Sequence, residues 1–255
     1  MPDGTTLEAA DNAAYGMAMS EIYDLVYRGL GKDYAAEAAA VAALVRARRP
    51  DAVSLLDVAC GTGEHLVALR ALFGEVAGLD LAAGMRAVAS RKLPGVPVHA
   101  GDMRGFALGR AFDAMCCLYS AVGYMSTAAE LDAALERMAA HLTPGGVLVV
   151  EPWWTPGRFL DGHIADDVVR AGGRTISRVS LSTRDGGAAR QETHYTVAGQ
   201  DGIRSFVHVQ RLTLFRPEDY AAAFRRAGLK AEYTAHDAFR SGRGLYVGVR
   251  EGGGR

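Results

Sequence analysis

The chain has 255 residues, 49% of them hydrophobic and 22% charged, with a formal net charge of −1. This length fits one large domain, or one domain with an insertion, and the balanced charge disfavours nucleic acid as a bulk partner. Neither a signal-peptide core nor an apolar run of about eighteen residues is present. We therefore expect a cytoplasmic protein with no membrane partner.

The cysteines are Cys60, Cys116 and Cys117. Their odd number and the adjacent pair argue against a disulfide framework and favour a reducing compartment. No CxxC spacing is present, so the sequence predicts no metal site.

Three tyrosines precede the first core element: Tyr15, Tyr23 and Tyr34. Each could be a packing residue. The functional alternative is a lid, in which aromatic rings cover a cofactor and their hydroxyl groups bind its polar end. The alanine-rich residues 34–48 that follow predict a helix.

An apolar run over residues 53–59, VSLLDVA, predicts a buried parallel strand, and it leads into a turn with Gly61 and Gly63. Glycines there allow positive backbone angles and close approach of a ligand. Residues 64–73 should form a helix and 75–79 a second strand. Asp80 ends that strand, where an acid can accept hydrogen bonds from ribose hydroxyls.

The same alternation of strands and helices continues along the chain. A helix over 83–92 and a short strand over 98–100 lead to Asp102 and Met103, which suit the amine and the ring face of an adenine. Asp102 could equally cap the next turn. A fourth strand spans 112–118.

Beyond the fourth strand, residues 119–125 follow the carboxyl end of a parallel strand, where an α/β fold binds its ligand. Ser126 should cap a helix that runs to about residue 141, and a fifth strand spans 147–151.

After Trp154 the pattern changes to alternating, β-branched segments at 173–182, 189–198 and 203–214. Joined by glycine turns, they predict an antiparallel meander. Its many arginines should mostly form a solvated face. A helix at 217–227 and strands at about 230–235 and 244–249 complete the pattern.

The turn DVACGTGEH resembles motif I of the class I S-adenosylmethionine (SAM) methyltransferases, and GLD, AGDM and LTPGG resemble their later motifs. The resemblance implies an α/β fold, a Rossmann-like sheet with an antiparallel β-meander insert, and SAM as cofactor. A dehydrogenase is the weaker rival, because His65 and Leu66 stand where a dinucleotide site has a third glycine.

Five further stretches resemble the nucleotide-amino-sugar N-methyltransferases of macrolide antibiotic pathways: MSEIYDLVYRGLGKDY, LDVACGTG, EPWW, HYTVAG and SGRGLY. The resemblance implies methyl transfer to the amine of a dTDP-linked amino-deoxy sugar, by a homodimer. The cofactor residues that it implies are Tyr15, Tyr23, Tyr34, Ala59, Asp80, Asp102, Met103 and Leu118, to which the motif turn adds Gly61 and Gly63. On the substrate side it implies Trp153, Arg178 and Arg243.

The chain departs from this family at Tyr124, where members of the dimethylating pathways have histidine beside the acceptor nitrogen. The departure leaves open the methylated position, the number of methyl groups, and nitrogen rather than oxygen as acceptor.

Tyr15 and Tyr124 are the catalytic candidates. A sugar amine only has to lose a proton, which solvent can take, whereas a hydroxyl needs a base. The segment directly after the fourth strand, residues 119–125, offers Tyr119 and Tyr124 but no histidine or lysine, which favours nitrogen. The alternatives are an O-methyltransferase and a non-catalytic SAM-binding protein.

The diphosphate of a sugar nucleotide requires cations, and Arg178 and Arg243 are the candidates. In a purely structural role, Arg243 would pair with a local carboxylate such as Asp237. Trp153 or Trp154 could stack on thymine or fill the core. An exposed edge of the insert would favour pairing of two copies.

These interpretations divide the chain into a lid segment (1–33), a SAM-binding core (34–152), a substrate and dimer insert (153–215), and closing elements (216–250).

Overall fold

The computed structural model describes residues 16–252, in which the helices alternate with strands that form two β-sheets. The helices are α1 (Met17–Gly29), α2 (Tyr34–Arg46), α3 (Glu64–Leu69), α4 (Ala83–Lys92), a 3₁₀ helix (Ala121–Tyr124), α5 (Ala128–Ala140) and α6 (Pro217–Arg226). The strands are β1 (Ser54–Val58), β2 (Glu75–Asp80), β3 (Val98–Ala100), β4 (Phe112–Cys117), β5 (Leu142–Val150), β6 (His163–Ala171), β7 (Arg174–Asp185), β8 (Ala188–Gly199), β9 (Gly202–Thr213), β10 (Leu229–Thr234) and β11 (Leu245–Arg250).

The larger sheet has the strand order β10-β11-β5-β4-β1-β2-β3. β1 pairs in parallel with β2 on one side and with β4 on the other. The chain therefore leaves the carboxyl ends of β1 and β4 in opposite directions, which opens a crevice at that edge of the sheet. The α/β fold class with a separate antiparallel sheet is confirmed.

Two hydrophobic clusters cover the faces of this sheet. In β1, Leu55 packs on one face with Ala114 and Val147, whereas Leu56 packs on the other with Met115. Because successive side chains of a strand point to opposite faces, a strand with helices on both sides is apolar throughout. All five residues of β1 are buried.

The smaller sheet has the antiparallel order β6-β7-β8-β9. One face, the inner face, packs against α1 in a cluster that includes Ile22, Val26, Ile176 and Tyr195. α1 thus lies between the two sheets, and residues 16–30 contribute to the packing of the insert.

The insert contains one strand more than predicted. β6 was missed because it is an edge strand with mostly exposed residues and two adjacent acids, Asp166 and Asp167. The sequence of β6 alone does not specify a strand, and the segment is held extended by its antiparallel pairing with β7, for example Asp167 opposite Arg178.

Three predicted boundaries were wrong. β5 begins at Leu142, because the turn LTPGG forms an irregular extension that pairs with Phe112 before the register shifts. The helix α3 ends at Leu69, four residues early. Thr127 caps α5, in place of Ser126, because Thr127 has the extended backbone of an N-cap and accepts the Glu130 N–H bond at 3.2 Å.

Candidate active site

The turn after β1 shapes the site. Ala59, Gly61 and Gly63 have φ values of 58°, 56° and 78°, in the left-handed region. A Cβ at Gly61 would meet no atom within 4 Å, whereas one at Gly63 would lie 2.8 Å from Leu93 Cδ1 in the loop after α4. Gly61 therefore borders open space, and Gly63 allows close packing of the turn against α4.

Asp80, at the end of β2, joins this turn to the next helix. Its Oδ2 accepts the Gly61 N–H bond at 2.8 Å and its Oδ1 accepts the Ala82 N–H bond at 2.8 Å. Burial raises the pKa of Asp80, and the two N–H bonds oppose that shift. The carboxylate is thus held at the edge of the crevice by backbone donors on both sides.

A cavity of about 400 Å³ opens at this edge, between the ends of the parallel strands and β9. Eight of the residues predicted from the sequence line it: Tyr23, Ala59, Gly61, Asp80, Asp102, Met103, Leu118 and Tyr124. Gly63 and Tyr34 are not among the lining residues, and Tyr15 lies outside the described residues.

Asp102 closes the turn after β3 and also lines this cavity. Its Oδ1 accepts the Arg104 backbone N–H at 2.8 Å, so it closes the turn after β3. The Arg104 guanidinium also contacts both carboxylate oxygens, with Nε 3.0 Å from each. Burial raises the pKa of Asp102, but the hydrogen bonds from Arg104 outweigh it and the net shift is downward. An ionised acceptor therefore stands on the cavity wall.

Tyr124 connects the cavity to the insert. Its hydroxyl donates to Gln210 Oε1 at 2.6 Å, and Gln210 Nε2 in turn donates to Gln191 Oε1. Val209 and Arg211, beside Gln210 on β9, also line the cavity. Sequence reasoning missed this wall, because an alternating strand pattern does not show which residues face another part of the chain.

Tyr27 and Tyr119 extend the predicted group of tyrosines. The Tyr23 and Tyr27 rings are 4.5 Å apart, and the Tyr27 and Tyr119 rings are 5.0 Å apart. The i, i+4 spacing of Tyr23 and Tyr27 on α1 was an available signal for this pair. Tyr34 packs instead on the His65 ring at 4.9 Å, and its buried hydroxyl has no hydrogen-bond partner in the structure.

Ionic contacts hold α1 against the turn. Asp24 accepts from Thr62 Oγ1 at 2.5 Å and from Lys92 Nζ at 2.6 Å. Arg28 pairs with Glu64 at 2.6 Å, and Lys92 also pairs with Glu64. The helix that carries Tyr23 is therefore attached to both α3 and α4.

The residues predicted on the substrate side separate into two places. Trp153, Trp154 and Arg243 line a second cavity of about 820 Å³ beside α6 and β10. Arg178 lies on the inner face of the insert, and its Nε donates to Asp167 at 2.7 Å. Burial lowers the pKa of Arg178, but Tyr27 and Asp167 raise it further than burial lowers it.

Arg243 lies between the two cavities. Its guanidinium carbon is 5.2 Å from the Trp153 ring and 6.0 Å from the Tyr119 ring. Its carboxylate partner is Glu151, at 2.8 Å, and not Asp237, the example considered for a purely structural role. β11 pairs antiparallel with β5, so the loop before β11 lies beside the residue that follows β5.

Asp57, in the centre of β1, is a buried carboxyl group 1% exposed. Cys116 Sγ is 3.4 Å from Oδ1, and Oδ2 has no hydrogen-bond partner in the structure. Burial raises the pKa of Asp57 from 3.8 to about 6.

Within residues 16–252, no cluster of three or more His, Cys, Asp or Glu side chains could hold a metal ion. None of the helices in this part of the chain is long and apolar enough to span a membrane.

Residues 55–146 match the model of a methyltransferase domain. A dTDP-3-amino-3,4,6-trideoxy-alpha-D-glucopyranose N,N-dimethyltransferase of Streptomyces venezuelae is 52% identical over 92% of this chain and 99% of its own. A dTDP-4-amino-2,3,4,6-tetradeoxy-D-glucose N,N-dimethyltransferase of Saccharopolyspora spinosa is 46% identical over 95% of this chain and 96% of its own.

Two solved structures are similar over the same length. DesVI of Streptomyces venezuelae has a TM-score of 0.87 and 53% identity, over 90% of this chain and 97% of its own. SAM-bound CalS10, an amino pentose methyltransferase from Micromonospora echinaspora involved in calicheamicin biosynthesis, has a TM-score of 0.83 and 52% identity, over 90% and 96%.

The buried Asp57 predicts a specific pH dependence. Its pKa is higher in the folded than in the unfolded chain, so the folded state holds the proton more tightly and stability falls as pH rises from about 4 to about 6. The Asp57→Asn variant has no group at this position that binds or releases a proton in this pH range. We expect the free energy of unfolding of the wild type, relative to this variant, to fall by about 2 kcal/mol between pH 4 and 7.

Urea unfolding of both proteins across that range measures the difference, in which the contributions of groups that do not interact with Asp57 cancel. A difference that stays constant with pH would contradict the assignment.

Proposed function

The chain belongs to the SAM-dependent N-methyltransferases of dTDP-linked amino sugars, and we propose that it methylates the amino group of such a sugar nucleotide in antibiotic biosynthesis. The principal support is near-complete coverage of a dimethyltransferase at 52% identity. In addition, seven of the ten predicted cofactor residues line one cavity at the switch point of the sheet.

The cofactor half of the proposal rests on the wall formed by the core. Asp80 stands where ribose hydroxyls can donate to it, and Gly61 leaves room for close approach. Asp102 and Met103 can receive the adenine, and Tyr23 on α1 closes the side that faces the insert.

SAM supplies a methyl group on a good leaving group, so the protein mainly has to align the amine with it. An amine lone pair forms the new C–N bond as the C–S bond breaks, and the ammonium proton passes to solvent. Tyr124, held by Gln210, and Tyr119 line the opposite wall. No strong base is required for nitrogen, whereas an O-methyltransferase would need one.

The nucleotide half is assigned to the neighbourhood of Arg243. Arg243 and Trp153 line the larger cavity, and residues 16–252 offer no hydrogen-bond partner to Arg243 Nε or Trp153 Nε1. We place the diphosphate at Arg243, with Arg178 as the second cation, and the thymine at Trp153 or Trp154. The division of the chain into lid, core, insert and closing elements is part of this proposal, as is a cytoplasmic location, which suits three buried free cysteines.

We further propose a homodimer through the outer face of the insert. That face exposes seven large apolar residues: Ile164, Val168, Val179, Leu181, Ile203, Val207 and Val209. Along its middle, Glu192 pairs with Arg190 and with His194, each at 2.7 Å. A second copy related by a two-fold axis would bury the apolar patch. It would also place the Arg190–Glu192–His194 row of one copy antiparallel to the same row of the other.

Asp80→Asn should weaken SAM binding by roughly 1–2 kcal/mol, because the ribose contact loses its charge-assisted component. Calorimetric titration with SAM measures this loss. The matched control is Asp113→Asn: Asp113 also accepts backbone N–H bonds, at 3.0 Å, but at the amino end of β4. Unchanged affinity in the Asp80 variant would contradict the assigned site.

A substrate panel tests the activity. The purified protein and SAM are incubated with dTDP-linked 3-amino and 4-amino deoxy sugars, with the same sugars lacking the nucleotide, and with dTDP-linked hydroxy sugars. We expect mass increases of one or two methyl groups on the amino-sugar nucleotides alone. Methylation of the hydroxy sugars would favour the O-methyltransferase, and SAM binding without any product would favour the non-catalytic alternative.

Light scattering at micromolar concentration tests the dimer, for which we expect twice the mass of one chain. Val207→Lys should yield monomers because it places a charge in the apolar face. Val53→Lys is the matched control, since Val53 is 53% exposed and Val207 51%, but Val53 lies before β1. A monomeric wild type would contradict the proposal.

A further inference from the structure

Glu151 is a buried carboxylate that follows β5 and is 1% exposed. Its Oε2 accepts the backbone N–H of Tyr119 at 2.7 Å. Its Oε1 accepts the Ser241 hydroxyl at 2.9 Å and Arg243 Nη2 at 2.8 Å. One side chain therefore connects the segment after β4 with the loop before β11.

These two segments border different cavities. Tyr119 lines the smaller cavity, which contains the predicted cofactor residues, and Arg243 lines the larger one. Because both bind the same carboxylate, the distance between the walls of the two cavities depends on Glu151.

The segment after β4 has an unusual backbone. Tyr119 and Ser120 have φ values of 53° and 63°, which cost energy in residues with a side chain. The Tyr119 bond to Glu151 and a bond from the Ser120 hydroxyl to the Pro152 carbonyl, at 2.8 Å, oppose this cost. Residues 151 and 152 thus hold the turn that leads to Tyr124.

Glu151 also determines how Arg243 is presented. The Arg243 side chain is 10% exposed and lies near the Trp153, Trp154 and Tyr119 rings. A buried guanidinium without a counterion would be unstable in this orientation. The pairing with Glu151 uses Nη2, and Arg243 lines the larger cavity, so its other N–H groups that face this cavity can donate to a ligand.

We propose that Glu151 is a positioning residue, which fixes the Tyr119–Ser120 turn and Arg243 relative to each other so that a nucleotide bound at Arg243 places its sugar amine at the cofactor cavity. This inference rests on the proposed function. Glu151 itself does not have to touch either ligand. It acts through the two groups that it holds.

Two variants of Glu151 separate the effect of its charge from the effect of its side-chain length. Glu151→Gln keeps the shape and removes the charge, and Glu151→Asp keeps the charge but is one methylene too short to hold both segments. Ser241→Ala is the control, because it removes one hydrogen bond from the same carboxylate and leaves that carboxylate's bonds to Tyr119 and Arg243. It also removes the long bond, at 3.4 Å, that Ser241 Oγ accepts from the Arg243 backbone N–H. The measurements are kcat and KM for an amino-sugar nucleotide, and calorimetric affinities for dTDP and for SAM.

For both Glu151 variants we expect kcat/KM and dTDP affinity to fall roughly ten- to a hundredfold, the range for a hydrogen bond to a charged group. SAM affinity should stay within about twofold, because the Asp80 side of the cofactor cavity is untouched. Ser241→Ala should change kcat/KM and the dTDP affinity less than Glu151→Gln or Glu151→Asp does. If Glu151→Gln does not fold, Glu151→Asp still provides the test. Equal losses of SAM and dTDP affinity would indicate a merely structural role.

A double-mutant cycle gives the sharper test. In the Arg243→Ala background, Glu151→Gln should cause no further loss of dTDP affinity, because the group that it positions is gone. Additive losses, or wild-type kinetics in both Glu151 variants, would overturn the inference. A wild-type protein that methylates no amino-sugar nucleotide would instead refute the proposed function, so the two failures are distinguishable.

Discussion

The carboxylate of Asp80 accepts two backbone N–H bonds, and the shape of the site depends on this arrangement. One donor, Gly61, belongs to the turn after β1, and the other, Ala82, precedes α4. Both donors lie where two neighbouring parallel strands end. The left-handed turn, the start of α4 and the end of β2 are thereby fixed around one buried acid, and the cavity opens beside it.

Elements outside the large sheet complete the enclosure. α1 is joined to the turn by Asp24, Arg28 and their partners, and its other side packs on the insert. The insert in turn reaches the cavity through Gln210 and its neighbours. Cofactor residues on the core and candidate substrate residues on the insert are therefore parts of one packed unit, in which α1 is the shared element.

Glu151 has a comparable place on the substrate side. It connects EPWW with SGRGLY, two of the stretches that bear the resemblance to the amino-sugar N-methyltransferases. Neither stretch is needed to bind a cofactor at the switch point. Their joining through a buried ion pair with Arg243 gives a physical reason for finding both in one chain.

The sequence by itself determined the α/β fold class, the glycine turn with its acid at Asp80, and the family. Local signals sufficed for these features: an apolar run, glycines that must adopt positive φ, and short motifs at the ends of the predicted strands. Tertiary structure alone decided the rest. Strand β6 forms because β7 pairs with it, Gln210 meets Tyr124 across two sheets, and Arg243 pairs with Glu151, 92 residues away along the chain. Such contacts join residues far apart along the chain, and no local pattern specifies them until strand order and register are known.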